Sequence, residues 1–273
     1  MHSSSLLSAM QSYGYCRLPN QFTAEFLCAL KLETEALIEK YYSKENLEAH
    51  SVYPSDTTPT RVSHALMIAE GESPLPKIEH KGYSAVEKLL QEHNKLLSEL
   101  TGTQVAPSAR CMLNFQNYFS GSKPVGEHFD GEYIKAQKAA DGIEFRLLEG
   151  ILPRFVAVLV ITNENHGKGT ELVDNATGEV FRPEMNPGDL LIFDNVRLRH
   201  RVPTMENPRT TIGLRNFDHM AFHFAHSDEY FRGSDYRQIP EGWVSETIDC
   251  NQRFAEFMSN EWPALKQEYA HYF

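Results

Sequence analysis

The sequence predicts an α+β fold in which amphipathic helices brace a β-rich core. Before residue 107, apolar residues recur at helical spacing in two stretches. After it, short β-type runs alternate with turn residues. A further stretch over 251–272 predicts a C-terminal helical extension.

The first helix is expected over 23–42, where Phe26, Leu27, Leu30, Leu37 and Ile38 fall near a 3.6-residue period and Thr23 is placed to cap the N-terminus. The second, over 83–100, aligns Val86, Leu89, Leu90, Leu96, Leu97 and Leu100. The prolines and small polar residues of SVYPSDTTPTRVSHALMIAEGESPLPK make the stretch between them read as a long excursion. Strands are expected over 109–119, 154–162, 170–174, 179–182, 189–194 and 209–217, a spacing that suits a sandwich or barrel. Within 154–162, Phe155, Ala157, Leu159 and Ile161 alternate with Val156, Val158 and Val160, the pattern of a strand buried on both faces. DNATGEV is a hairpin candidate because Gly178 can take a positive φ. No repeat or linker divides the chain. Residues 1–273 are expected to form a single domain: a mainly helical part over 1–106, a β core over 107–218 and an extension over 219–273.

With 273 residues, 41% hydrophobic and 23% charged, the chain can bury a sizeable core and does not have a disordered composition. A net charge of −11 disfavours non-specific nucleic-acid binding, which needs a Lys/Arg surplus to neutralise phosphates. Cys16, Cys28, Cys111 and Cys250 are widely spaced without a CxxC pair, which fits reduced thiols better than disulfides or a thiolate metal site. The N-terminus lacks the signal-peptide pattern, and no apolar run approaches the roughly 20 residues that span a bilayer. A cytoplasmic protein with no membrane or nucleic-acid partner is expected; oligomeric state is left open.

The chemistry concentrates in GEHFDGEY. On an extended strand, His128 and Asp130 would point to one face, so an imidazole and a carboxylate could converge on one cation. His200, in RLRHRVP, is placed to return as a third ligand after several intervening strands. Two imidazoles and one carboxylate leave three positions of an octahedral ferrous ion open, enough for a bidentate 2-oxo acid and dioxygen.

After His200 the chain reads HRVPTMENPRTTIGLRNF. The series His200-Arg201-Val202, then Arg209 and Thr211, then Phe217 resembles the Fe(II)/2-oxoglutarate oxygenases. Upstream, RCMLNFQNYFSGSKPVGEHFD resembles the strand and loop before the first ligand of that family; GTELV and NPGDLLIF resemble its middle strands. The resemblance covers roughly 110–217. It implies a double-stranded β-helix (jelly-roll, cupin-like) core, Fe(II) held by His128, Asp130 and His200, and 2-oxoglutarate and O2 as cosubstrates.

A guanidinium fork binds a carboxylate bidentately and an adjacent hydroxyl can add a bond, so Arg209 with Thr211 is the preferred anchor for the cosubstrate. Arg215, on the same alternating face, is the rival. On the earlier strand Arg110, Met112, Asn114, Gln116 and Tyr118 share a face, making Asn114 and Tyr118 candidates to touch the cosubstrate. The resemblance implies decarboxylation of 2-oxoglutarate to succinate coupled to hydroxylation. Related halogenases carry a small residue where this chain has Asp130, so the carboxylate favours a hydroxylase.

Substrate contacts are expected from 43–82, from the 131–150 insertion and from the segment after Phe217, with Arg61, Asn216, His219 and Trp243 as candidates. A small polar metabolite is expected, with a free amino acid such as lysine one candidate. Glu127, Glu132, Asp141 or Asp218 could pair a cationic substrate's amine. The same centre could instead catalyse desaturation or cyclisation, and a non-catalytic metal-binding β-barrel is the alternative of another class.

Overall fold

The structure is a computed structural model that describes residues 3–42, 56–58, 60–68, 79–102, 104–105, 111–128, 130, 134–139, 142–147, 155–174, 176–195 and 197–216. Three helices are described, α1 (Ser3–Tyr13), α2 (Ala24–Tyr41) and α3 (Ser84–Thr101). The strands are β1 (Tyr15–Leu18), β2 (Asp56–Thr58), β3 (Arg61–Ile68), β4 (Cys111–Tyr118), β5 (Val125–His128), β6 (Ile134–Ala139), β7 (Gly142–Leu147), β8 (Phe155–Asn163), β9 (Glu171–Asp174), β10 (Val180–Phe181), β11 (Leu190–Asp194), β12 (Leu198–Val202) and β13 (Arg209–Asn216).

Helix α2 starts where its cap dictates, with the Thr23 hydroxyl accepting from the Phe26 N–H at 3.3 Å, a contact worth about 1 kcal/mol. Helix α3 has no side-chain cap of its own; Glu33 of α2 reaches across and accepts from the Ala85 and Val86 N–H groups at 2.8 and 3.1 Å. This carboxylate suits the positive end of the α3 dipole and locks the two helices in register.

The strands pair antiparallel. A major sheet runs β1-β11-β8-β13-β4-β3-β2, a minor sheet runs β10-β9-β12-β5, and β6 and β7 pair as a hairpin. Period-2 alternation gives the major sheet two different faces. Leu113, Phe115, Leu159, Ile161, Ile212 and Leu214 pack into one core with Leu27, Leu30, Leu37, Val86, Leu89 and Leu97 of the helices. The intervening Val156, Val160, Leu191 and Phe193 pack the other way, with Leu172, Met185 and Leu198 from the minor sheet and its connections. Helices, major sheet and minor sheet thus form successive layers, and β8 is buried on both faces as its sequence predicts.

The helices expected over 23–42 and 83–100 form, and the β9–β10 hairpin turns at Gly178, φ 73°. One expectation needs correction. The stretch read as an excursion between the helices contains β3, an eight-residue strand fully registered against β4; its prolines lie outside the strand, at 54, 59, 74 and 76. The 131–150 insertion carries the β6–β7 hairpin. The N-terminus forms α1, whose Leu6 is buried. The helix expected over 251–272, His219, Trp243, Glu132, Asp141, Asp218 and Cys250 lie outside the described residues. Cys16 and Cys28 are free thiols.

His93 of α3 is buried against Cys111, Nδ1 to Sγ 4.0 Å, and burial pushes its pKa down to about 4. Its folded pKa is below the unfolded value, so this contribution is complete above pH 6.5 and is lost as the pH falls towards 4. Unfolding free energy should drop by about 2 kcal/mol from this group between pH 7.5 and pH 5. Urea titrations of His93→Leu should show a profile flatter by that amount, whereas parallel profiles would remove His93 as the cause.

Candidate metal and anion site

The site forms where the two sheets face each other. In the minor sheet His128 closes β5 and is the register partner of His200 on β12, bringing the ring centroids to 4.2 Å. The Nδ1 of His128 lies 2.7 Å from the Gly126 carbonyl. A carbonyl only accepts, so Nδ1 carries a proton, which leaves Nε2 as the atom turned towards a cation. His200 packs on Phe193 at 5.1 Å, and burial, with His128 beside it, holds its pKa down to about 3. It is therefore a neutral imidazole at physiological pH.

Asp130 completes the cluster, in which one donor atom from each residue lies within 4.8 Å of the others. Its Oδ1 is 3.7 Å from His128 Nε2 and its Oδ2 is 3.7 Å from His200 Nε2. Both separations exceed a hydrogen bond, and a single cation can bridge them. The expectation of one continuous strand through both residues is corrected: β5 ends at His128 and Asp130 lies beyond it. The reason is local bonding. The Asp130 backbone bonds to the side chain of Asn195, Asp130 N–H to Oδ1 at 2.8 Å and Asn195 Nδ2 to the Asp130 carbonyl at 2.7 Å. Its carboxylate accepts from Arg215 Nη2 at 2.5 Å. Burial works against ionisation here, but Arg215 and then the two histidines outweigh it and keep the carboxylate well below the usual range.

The outward residues of the same strands brace this arrangement. Glu127 pairs with Arg199 and Arg201 at 3.1 and 3.2 Å, and Arg201 also reaches Glu171 of β9 at 2.8 Å. Glu127, one of the acids offered for a cationic substrate, is thus engaged in tying β5 to β12.

On the major sheet, Arg61, Tyr118 and Arg209 are register partners across β3, β4 and β13, as are Ser63, Gln116 and Thr211 in the next inward row. Arg209 is 1% exposed, with Nη2 donating to Thr170 Oγ1 at 3.1 Å and its guanidinium over the Tyr118 ring at 5.6 Å. Its Nε is buried without a partner, and among the described residues no acid pairs with it. Burial lowers its pKa. A Cβ at Gly169 would sit 2.9 Å from the guanidinium carbon, so the residue before Thr170 has no side chain for a spatial reason. The Tyr118 hydroxyl donates to Gln116 at 3.2 Å, and burial raises its pKa against the lowering influence of Arg209 and Arg61. Asn114 accepts from Ser63 at 2.8 Å.

His128, Asp130 and His200 therefore converge, and Arg61, Asn114, Tyr118, Arg209, Thr211 and Arg215 share the inward face of the major sheet. Asn216 does not join them. It follows Ile212 and Leu214 in the alternation, so it is buried towards the helices rather than the site. Sequence reasoning missed Asn195, Thr170 and Gly169. The GKGT run signals a close approach in Gly169, but nothing near Asn195 announces a partner 65 residues away.

Comparison of sequences finds no matching family model and no matching curated protein. Solved structures do match. The α-ketoglutarate-dependent carbocyclase SnoK from nogalamycin biosynthesis has a TM-score of 0.52 at 11% identity, over 85% of this chain and 90% of that one. A 2OG-Fe(II) oxygenase family oxidoreductase from Burkholderia pseudomallei has 0.51 at 14%, over 80% and 90%. A prolyl-4-hydroxylase from Pseudomonas putida has 0.50 at 13%, over 79% and 98%. The antiparallel, sheet-rich fold of this chain is the fold of these Fe(II)/2-oxoglutarate oxygenases.

Proposed function

We propose that the chain is an Fe(II)- and 2-oxoglutarate-dependent dioxygenase, one catalytic domain whose facing sheets form a double-stranded β-helix, and that it hydroxylates a C–H bond of a small polar metabolite. The observation that carries the reading is the combination of the His128–Asp130–His200 cluster with Arg209, a buried cation without an acid partner among the described residues. An unneutralised guanidinium in an apolar interior is costly unless an anion accompanies it. A dicarboxylate cosubstrate reaching from the metal would supply that anion.

The residues present fit the group. His128 and His200 would offer Nε2 and Asp130 a carboxylate oxygen to Fe(II), a donor set suited to a ferrous centre with open positions. When bound, iron with 2-oxoglutarate and dioxygen supplies the oxidising power for breaking an unactivated C–H bond. Arg209 would take the distal carboxylate of 2-oxoglutarate through its fork, with Thr211 and the Tyr118 hydroxyl beside it and Asn114 further along the same face. Arg215 is less suited to that task, because Asp130 already occupies it. Val156, Val160, Leu191 and Phe193 keep the inter-sheet space apolar and exclude water.

Asp130 fills the position that a halide would need, which supports hydroxylation over halogenation. Of the substrate candidates, Arg61 faces the site beside Tyr118. Free amino acids such as lysine are the first substrate class to test, by succinate formation. Cyclisation on the same centre is the second reading, favoured by the carbocyclase of the same fold.

Anaerobic Fe(II) and 2-oxoglutarate should produce a visible metal-to-ligand charge-transfer band. Arg209→Ala should weaken 2-oxoglutarate binding between about 30-fold and a few thousand-fold, as expected for breaking a buried charge pair. Full affinity and turnover in that variant would defeat the cosubstrate assignment.

His128→Ala, Asp130→Ala and His200→Ala should each weaken Fe(II) or Co(II) binding by more than about 100-fold in titrations, exceeding the usual effect of outer residues. His166→Ala should bind as the wild type does; equal loss there would point to another ligand set. Asp130→Gly with chloride should give some chlorinated product, read by mass spectrometry, if the carboxylate alone occupies the halide position.

A further inference from the structure

Asp130 is the least regular of the three proposed ligands. It follows the end of β5, beyond the last β5–β12 register pair, so no strand ladder fixes its backbone. Asn195, just past β11 of the major sheet, replaces that ladder. One amide satisfies both backbone groups of Asp130, accepting at 2.8 Å and donating at 2.7 Å, and both residues are buried. Two bonds of opposite polarity from one planar group restrict both translation and rotation of the Asp130 peptide units. The carboxylate is held independently, through Oδ1, by Arg215 of β13, also in the major sheet.

The cluster is thus assembled across two sheets. The histidines are neighbours in the minor sheet, and the carboxylate between them is fastened to the major one. We propose that Asn195 is a positioning residue for the metal centre: it sets metal affinity by fixing the backbone of Asp130, and touches neither metal nor cosubstrate. The proposal rests on the metal reading above. Small shifts of a ligand backbone alter coordination, and partners of metal ligands usually contribute 10–100-fold in affinity.

Co(II) titration of the apoprotein tests this without turnover. Asn195→Ala should weaken Co(II) binding by about 10–100-fold and change the intensity of the visible Co(II) bands, in protein with wild-type circular dichroism. Asn195→Gln, which keeps the amide on a longer arm, should recover part of the affinity and carries the comparison should Asn195→Ala not fold. A purely structural asparagine would lower the apoprotein melting temperature and leave Co(II) affinity and spectrum unchanged in folded variants, which would overturn the proposal. Wild-type protein that binds no Co(II) would instead sink the metal reading itself.

Discussion

Two guanidinium groups on the inward face of one strand, the buried Arg209 and the half-buried Arg215, set the terms for the rest of the site. Moving a cation from water into an apolar interior costs several kcal/mol unless charge and hydrogen bonds compensate. Arg215 meets this requirement with Asp130, drawing a residue from the end of a minor-sheet strand onto the major sheet. Arg209 meets it only in part, through Thr170 and the face of Tyr118. The difference separates the two: one guanidinium holds a protein carboxylate in place, and the other has no protein carboxylate beside it among the described residues.

Such a face needs a rigid support, and the helix layer supplies it. The side chains between the polar ones, Leu113, Phe115, Ile212 and Leu214, point away from the site into the α2–α3 core. A one-residue slip of β13 would exchange Arg209, Thr211 and Arg215 with these leucines and isoleucines, burying charge against the helices. The helix core therefore fixes register, and register places the arginines. Glu33, by capping α3 from α2, extends that constraint to the relative position of the helices.

What the sequence revealed follows from range. Helices α2 and α3, β8 and the Gly178 turn depend on neighbours a few residues apart, and their patterns were legible. So was the convergence of His128, Asp130 and His200, whose residue types carry their chemistry. Strand β3 was hidden because nearby prolines dominate its composition, although they stand outside it. Asn216, offered as a substrate contact, follows Ile212 and Leu214 in the alternation, which turns it to the opposite face. The Asn195–Asp130 clamp and the Gly169–Arg209 approach join distant segments through single side chains, and no local pattern encodes them.

The division of the cluster between sheets has a physical consequence for the centre as a whole. The two histidines lie on adjacent strands of the four-stranded sheet, whereas Asp130 is bonded to Asn195, just past β11, and to Arg215 of the seven-stranded one. Apolar packing of Leu172, Leu198 and Met185 on Val160, Leu191 and Phe193 is then what keeps the imidazoles and the carboxylate at bridging distance. Loss of a methylene there would leave a cavity costing about 1 kcal/mol and also relax the separation of the sheets. Affinity for a metal held by His128, Asp130 and His200 would therefore depend on inter-sheet packing as much as on those three side chains, and residues with no donor atom near them would share in setting it.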